Sequence, residues 1–166
     1  MTESRKFQDF IFPPMGRLYI LRVAAVALCA WLFFSYVLVP IQIRGGSMEP
    51  AYSSGGWNFI WRLSYLFSDP ERGDVVGVRF AGGKVMLLKR VVALEGEEVE
   101  FRKGSLFING LEIDEAYLKY RGNWQLPPRR VKRGNVYVIG DNRGVPMRNH
   151  TFGQTPIKRI LGAPLF

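Results

Sequence analysis

The chain has 166 residues, a molecular mass of 19.0 kDa and a formal net charge of +9 at pH 7. A chain of this length holds one domain of ordinary size with an additional segment, which excludes two large domains. Its 48% apolar and 14% aromatic residues exclude a disordered chain, and a mean hydropathy near zero beside a pI of about 10.0 predicts separate apolar and basic regions.

A long uncharged segment lies near the N-terminus. Residues 23–43 contain no Asp, Glu, Lys or Arg, and a helix of that length would extend roughly 31 Å, enough to cross the hydrocarbon core of a bilayer. We therefore predict a transmembrane anchor at 23–43 after a basic tail at 1–22. A cleavable signal peptide is the alternative, but its apolar region is usually only about 7–15 residues long, and the small-residue motif at 25–27 lies inside the apolar run rather than after it.

The cysteine and histidine content limits the chemistry. Cys29 is the single cysteine and falls within the predicted anchor, so an internal disulfide and a cysteine-ligated metal site are excluded. His150 is the single histidine; a Ser-His-Asp triad would have to use it, and a metal site with several histidines is excluded. The sequence predicts no metal and no organic cofactor.

The predicted domain at 44–166 carries an excess of Lys and Arg. No basic block is dense enough to favour nucleic acid as a partner, so we expect none. Beside a bilayer, anionic lipid headgroups are the more economical partner. The basic residues before the span favour a cytoplasmic N-terminus, which would place residues 44–166 on the outer face of the membrane.

Short alternating segments follow the span and predict a mainly β domain. The Asn109-Gly110 pair is typical of a tight hairpin. No helix of normal length is expected, and residues 117–133 are expected to form an irregular insertion. The fold class is therefore an N-terminal transmembrane helix followed by a mostly antiparallel, partly closed β domain. The predicted strands, separated by glycine-containing turns such as 81–83, are 74–80, 84–93, 98–101, 105–108 and 135–139.

An aromatic segment at 57–67 admits two interpretations. It is either a core strand or a surface that enters the headgroup region, where Trp and Tyr are favoured. The two interpretations are compatible, and both stay open.

Ser47 and Lys89 are the candidate chemical groups. Ser47 follows two glycines just after the span, which would place its hydroxyl at the membrane surface. Lys89 lies among apolar neighbours in a predicted strand. If Lys89 points to the interior, desolvation lowers the pKa of its ammonium, and the neutral amine is then able to take the proton of the Ser47 hydroxyl. If it points to water, it is an ordinary surface lysine.

Four motifs in one order make this interpretation specific. They read GGSMEP at 45–50, RGDVV at 72–76, KRVV at 89–92 and GDNR at 140–143. Together with the N-terminal span, they resemble the type I signal peptidases, the membrane-bound Ser–Lys endopeptidases. The resemblance covers nearly the whole chain and implies a mostly antiparallel β domain with a Ser–Lys cleft that faces the membrane.

The resemblance also implies roles for individual residues. Ser47 would be the nucleophile, and Lys89 the general base and later the general acid. The backbone N–H of Ser47 would hold the oxyanion, because Gly45 offers no side-chain donor two residues earlier. The supporting positions would be Gly45, Met48, Arg90, Asp141 and Asn142, with Met48 lining the cleft. His150 is a further supporting candidate, although the family usually has another residue there.

The last motif departs from the family pattern. After Gly-Asp-Asn the family usually continues with Ser, Asp, Ser and Arg. At those positions this chain has Pro146, Arg148, Asn149 and His150. Either Asn149 and His150 replace the missing hydrogen bonds to Lys89 or to the loop, or the loop has lost its function.

The family implies removal of signal peptides from exported preproteins, with Ala-like side chains at the first and third positions before the scissile bond. It also implies a single-pass protein of the bacterial cytoplasmic membrane. One alternative is a dedicated processing peptidase for one or few substrates, of the pilin, conjugation or organelle inner-membrane type. The other is a catalytically silent subunit that binds signal peptides. The sequence does not identify a partner subunit.

Overall fold

The computed structural model describes residues 16–80, 85–151 and 153–166. The chain divides after Val37 into two compact units. Most of the predicted tail at 1–22 lies outside the described residues, as do the predicted turn at 81–83 and residue 84 of the predicted strand 84–93.

The first unit contains one long helix, α1, at Arg17–Tyr36. Its mean hydropathy is 2.0, and its length and composition are sufficient to cross a bilayer. The helix begins six residues before the predicted segment 23–43 and ends before Pro40. Proline disfavours the helical conformation for the residue before it and has no N–H to donate, so the chain leaves the helix here although it stays apolar.

The second unit is built from β-strands. In chain order they are β1 Leu38–Gln42, β2 Trp57–Trp61, β3 Val75–Phe80, β4 Val85–Ala93, β5 Glu98–Arg102, β6 Ser105–Ile108, β7 Leu111–Glu112, β8 Leu126–Arg130, β9 Asn135–Ile139, β10 Gly153–Pro156 and β11 Ile160–Pro164.

The strands form two antiparallel sheets in the described part of the chain. The larger has the order β1-β2-β11-β3-β4-β9-β10, and the smaller has the order β7-β6-β5-β8. The mainly β, mostly antiparallel prediction is confirmed. The partial closure is not, because each sheet ends in two different edge strands and both sheets are open.

The strands predicted from alternation agree closely with β3, β4, β5, β6 and β9. The hairpin prediction is also confirmed: Ile108 pairs with Leu111, which leaves Asn109 and Gly110 as a two-residue turn. Both have positive φ, 51° and 80°, which is the conformation that favours an Asn-Gly pair in such turns.

The segment at 117–133 is not wholly irregular, and this corrects the prediction. It contains β8, which pairs with β5 through Glu98–Arg130 and Val99–Arg129. The two prolines of β8 conceal the strand in the sequence because proline donates no ladder hydrogen bond. They are tolerated here because β8 is an edge strand with a register shift.

The aromatic segment at 57–67 divides between core and surface. Ile60 is fully buried, as the core-strand interpretation requires. Trp57 and Phe67 are 70% and 96% exposed. The exposed rings leave the headgroup interpretation as a prediction.

Two hydrophobic clusters support the site. The largest joins the two sheets and contains Val92 and Ile139 of the large sheet with Phe101 and Leu106 of the small one. A smaller cluster of Met48, Ile60 and Leu88 lies beneath the segment that carries Ser47. The larger cluster therefore fixes the ends of β4 and β9, and the smaller cluster fixes the segment that carries Ser47.

Gly162 lies where β11 changes partners, from β3 to β2. It pairs with Gly77 of β3, and the next residue, Ala163, pairs with Trp61 of β2. A Cβ at position 162 would lie 2.1 Å from the Trp61 carbonyl oxygen, and φ is +156°. Both the close backbone approach and the conformation therefore require glycine.

We predict that Gly162→Ala lowers the free energy of unfolding by about 3 kcal/mol, because the new methyl group collides with backbone. The matched control is Gly153→Ala. Its φ is +125°, but its Cβ would meet no heavy atom of the described residues within 4 Å, so we expect a loss of about 1 kcal/mol from conformation alone. Thermal unfolding followed by circular dichroism measures both variants; equal losses would contradict the collision.

Candidate active site

Ser47 and Lys89 meet in the structure. Lys89 lies in the middle of β4, opposite Val76 of β3, and Ser47 lies in the turn between β1 and β2. The Lys89 Nζ is 2.7 Å from the Ser47 Oγ. The two groups separated by 42 positions in the chain are thus within hydrogen-bonding distance, which is the contact that proton transfer requires.

Lys89 points to the interior rather than to water, with an exposed fraction of 2%. Burial lowers the pKa of its ammonium from 10.5 to about 8, because the charged form loses its hydration. The Asp141 carboxylate acts in the opposite direction. A substantial neutral fraction of the amine is therefore present at mildly alkaline pH.

Arg90, the next residue along β4, fixes Asp141. Its Nε and Nη2 donate to the two carboxylate oxygens at 2.9 and 2.6 Å. A third bond joins its Nη1 to the Gly73 carbonyl at 2.7 Å. The Asp141 side chain is fully buried, and such a carboxylate requires a partner of this kind. Because Arg90 pairs with Ile139 at the end of β9, this ion pair holds the chain just after β9.

Asn142 connects that chain to the serine segment. Its backbone N–H donates to the Ser47 carbonyl at 3.0 Å, and its side-chain Nδ2 donates to the Gly46 carbonyl at 2.9 Å. Gly140 permits the approach, since a Cβ there would lie 2.3 Å from the Ser47 carbonyl oxygen. We call these two bonds the Asn142 clamp; they set the position of Ser47 relative to β4.

Two clefts flank Ser47. The larger has a volume of about 370 Å³ and is lined by β1, the serine segment and β4, including Ile41, Met48 and Leu88. The smaller has a volume of about 260 Å³ and contains Lys89, Val145 and His150. Gly45, Ser47 and Leu87 line both. The hydroxyl therefore lies where the two spaces meet.

Met48 and Gly45 occupy different environments. Met48 is 2% exposed and packs with Ile60 beneath the serine. Gly45 is exposed, has a φ of +87°, and donates its N–H to the Ser54 Oγ at 3.1 Å. A side chain at Gly45 would meet a strained backbone rather than a steric barrier.

The altered last motif forms a short 3₁₀ turn at Met147–Asn149. Pro146 precedes this turn and Arg148 lies within it, and both side chains are exposed. His150 is buried, and its Nε2 is 2.8 Å from the Asn142 carbonyl oxygen. In the described part of the chain no hydrogen bond reaches Lys89 from Asn149 or His150. His150 thus makes a hydrogen bond to the loop rather than to Lys89, and the choice between an active and a non-functional loop stays a prediction.

A second ion pair was not foreseen from the sequence. Arg143 and Glu115, both buried, are joined by bonds of 2.5 and 3.2 Å, and the Arg143 Nε donates to the Gly140 carbonyl at 2.9 Å. The Tyr117 hydroxyl donates to Glu115, while the Arg90 guanidinium lies 4.2 Å above the Tyr117 ring. The sequence offered one indication of this ion pair, because Arg143 lies in the GDNR motif. Its partner Glu115 lies 28 positions away and in no motif.

Within residues 16–80, 85–151 and 153–166, no cluster of three or more His, Cys, Asp or Glu residues is placed to hold a metal ion. The chemical groups of the site are a serine hydroxyl, a buried amine and the hydrogen-bonded loops that hold them.

The chain is similar in sequence to known processing and signal peptidases. The chain is 32% identical over 148 residues to thylakoidal processing peptidase 1 of Arabidopsis thaliana chloroplasts, covering 81% of this chain and 43% of that protein. It is 32% identical over 155 residues to the probable signal peptidase I-1 of Synechocystis, covering 89% of this chain and 78% of that protein. The chain thus spans less than half of the Arabidopsis relative.

A solved structure of a signal peptidase I from Enterococcus faecalis aligns with 58% of this chain and 97% of its own, with 26% sequence identity and a TM-score of 0.47. The family described as "Signal peptidase, peptidase S26" matches residues 17–166, which include every residue discussed in this subsection. The chain is a member of the signal peptidase family, peptidase S26.

Proposed function

We propose that this chain is a membrane-anchored serine endopeptidase that removes signal peptides from exported preproteins with a Ser47–Lys89 dyad. The observation that carries the proposal is the 2.7 Å contact between the Ser47 hydroxyl and a buried lysine amine. Membership of the signal peptidase family supports the reaction class and the substrate.

In the first step the neutral Lys89 amine takes the Ser47 proton while Oγ attacks the scissile carbonyl carbon. The carbonyl oxygen becomes an oxyanion, which the Ser47 backbone N–H stabilises. When the intermediate collapses, the C–N bond breaks and the Lys89 ammonium gives its proton to the leaving amine. The products are a free mature N-terminus and a signal peptide esterified to Ser47.

In the second step a water molecule attacks the ester. Lys89, neutral again, takes a proton from the water, and the resulting ammonium returns a proton to Oγ as the ester bond breaks. The signal peptide leaves as a carboxylic acid that releases its proton to solvent, and Ser47 regains its hydroxyl. Ser47 and Lys89 are the two side chains that exchange protons in these steps, while Asp141 stays paired with Arg90.

The apolar cleft between β1 and β4 suits the signal-peptide side of the bond. Ile41, Met48 and Leu88 offer apolar walls, and its volume of about 370 Å³ is modest for several large side chains. We propose that it accepts small residues such as alanine at the first and third positions before the scissile bond.

The setting of the reaction is also a proposal. α1 would anchor the chain once in a bacterial cytoplasmic membrane, with the β unit on the outer face, where exported preproteins emerge. Its length and hydropathy support anchoring, and the basic composition supports contact with anionic lipid.

We predict that Ser47→Ala and Lys89→Ala each lower the cleavage rate of a preprotein-derived fluorescent peptide by at least about 10³-fold, because each removes one member of a unit. The assay uses the full chain in detergent or lipid. Lys132→Ala is the matched control, since Lys132 is exposed, and its rate is expected to be unchanged.

Binding of the same peptide separates the alternatives. If the wild-type chain binds it but never cleaves it, the silent binding subunit is correct and the peptidase proposal is wrong. If only one preprotein of a panel is cleaved, the dedicated processing peptidase is correct. Cleavage by Ser47→Ala at the wild-type rate would refute the mechanism.

We predict that kcat/KM rises with pH to a plateau, with a midpoint near 8 set by the Lys89 pKa. Below the midpoint the ammonium has no lone pair with which to accept the Ser47 proton, so the rate falls about tenfold per pH unit. A pH–rate series on the wild-type chain measures this. A rate that is constant between pH 6 and 9 would contradict a lysine base.

We predict that Lys89→Met, although inactive, raises the free energy of unfolding at pH 7 by about 2 kcal/mol, because it removes a buried cation and retains the length of the side chain. The folded pKa lies below the unfolded one, so the unfolded chain binds the extra proton between about pH 8 and 10.5. Wild-type stability therefore increases with pH across that window.

The variant lacks this increase, and its advantage over the wild type should shrink as the pH approaches 10.5. Chemical unfolding at several pH values measures both curves, with Lys132→Met as the control for surface charge. A variant that is less stable than the wild type at pH 7 would contradict the prediction, because it would show that burial of the Lys89 ammonium does not lower the free energy of unfolding.

A further inference from the structure

His150 presents two different ring nitrogens to the interior. Its Nε2 lies 2.8 Å from the Asn142 carbonyl oxygen. Because a carbonyl only accepts hydrogen bonds, Nε2 carries the hydrogen and donates it. In the neutral ring Nδ1 is then the nitrogen without hydrogen, and within the described residues it is buried without a hydrogen-bond partner.

The surroundings of the ring leave it little freedom. His150 is 9% exposed, and its edge contacts the Trp124 ring at a centroid distance of 4.8 Å. Its Cε1 would lie 3.1 Å from a Cβ built at Gly140. The ring is therefore packed between Trp124, in the loop that leads to β8, and the chain that follows β9.

The carbonyl that His150 holds belongs to the residue of the Asn142 clamp. The same residue donates its backbone N–H to the Ser47 carbonyl and its side-chain amide to the Gly46 carbonyl. One hydrogen bond from the imidazole thus fixes the peptide unit that follows Asn142. The two bonds of the Asn142 clamp then hold the serine segment relative to that peptide unit.

We propose that His150 is a positioning residue for Ser47, whose neutral Nε2–H form holds the Asn142 carbonyl and thereby keeps the Asn142 clamp on the serine segment. Its effect on the reaction rate rests on the proposed function, whereas its effect on the clamp does not. It makes no hydrogen bond to Lys89 in the described residues and does not enter the proton transfers.

A second proton on the ring opposes this role. Burial lowers the pKa of His150, and the positive charges of Lys89 and Arg143 lower it further, while the Asn142 hydrogen bond acts in the opposite direction. Arg143 is itself paired with Glu115. Protonated Nδ1 would be a buried donor without an acceptor beside two cations, so we expect the ring to leave its position and the clamp to loosen.

A matched pair of variants tests the role of the donor. The side-chain nitrogen of His150→Gln can occupy the position of Nε2, whereas the shorter side chain of His150→Asn carries its nitrogen near Nδ1 and does not reach the Asn142 carbonyl. We expect hydrogen exchange at the Asn142 N–H to be roughly tenfold faster in the Asn variant, and close to the wild-type rate in the Gln variant.

Peptide cleavage at pH 8.5 should follow the same order. We expect kcat to fall roughly tenfold or more in the Asn variant with little change in KM, because the contact acts on Ser47 and not on bound peptide. The Gln variant should keep kcat within about threefold of the wild type.

The single histidine gives a direct spectroscopic test. Its imidazole nitrogen resonances in the full chain should report the Nε2–H tautomer at pH 8.5 and a protonation midpoint below 6.5. Through that midpoint wild-type kcat/KM should fall more steeply with decreasing pH than the single proton of Lys89 requires, and the Gln variant should not show the extra fall.

Three results would overturn the proposal. They are an Nδ1–H tautomer, equal hydrogen exchange at Asn142 in the Gln and Asn variants, and a wild-type pH profile that passes the imidazole midpoint without steepening. A wild-type chain that cleaves no preprotein would refute the proposed function instead. In that case the tautomer and the Asn142 exchange rates still decide whether His150 holds the clamp.

Discussion

The site depends on keeping one lysine amine out of water while a hydroxyl stays within its reach. Desolvation is the physical cause of the lowered Lys89 pKa, and the hydrophobic sheets supply it. The same burial costs stability at neutral pH, so the chain retains a destabilised group where the proposed chemistry needs one. Functional residues of this kind commonly oppose the stability of the fold that holds them.

Position is controlled separately from acidity. The pairing of β4 with β9 brings Arg90 beside Ile139, and the Arg90–Asp141 ion pair then fixes the chain that continues to Asn142. Hydrogen bonds from that chain reach the serine segment. Since Asp141 itself acts to raise the Lys89 pKa, its contribution is geometric, and the lowered pKa arises from apolar packing.

Much of the fold could be predicted because its strands alternate and its turns contain glycine, as at Asn109-Gly110. Lys89 and Ser47 could be selected because they lie in family motifs. The end of α1 could not be placed, since Leu38–Gln42 is as apolar as the helix and only pairing with β2 makes it a strand. The role of Glu115 and the partner of His150 could not be predicted from the sequence, because their contacts join different segments of the chain and leave no local pattern.

Tyr117 connects the loop before β8 to the ion pairs near Ser47. Tyr117 lies in the loop between β7 and β8; its ring contacts Arg90 and its hydroxyl donates to Glu115, so its side chain bridges the Arg90–Asp141 and Arg143–Glu115 ion pairs. A molecule that displaced the Tyr117 ring from outside would disturb the partners of Asp141 and of the Gly140 carbonyl together without entering the clefts beside Ser47. The loop between β7 and β8 is therefore a place from which the proposed activity would be open to inhibition at a distance from Ser47.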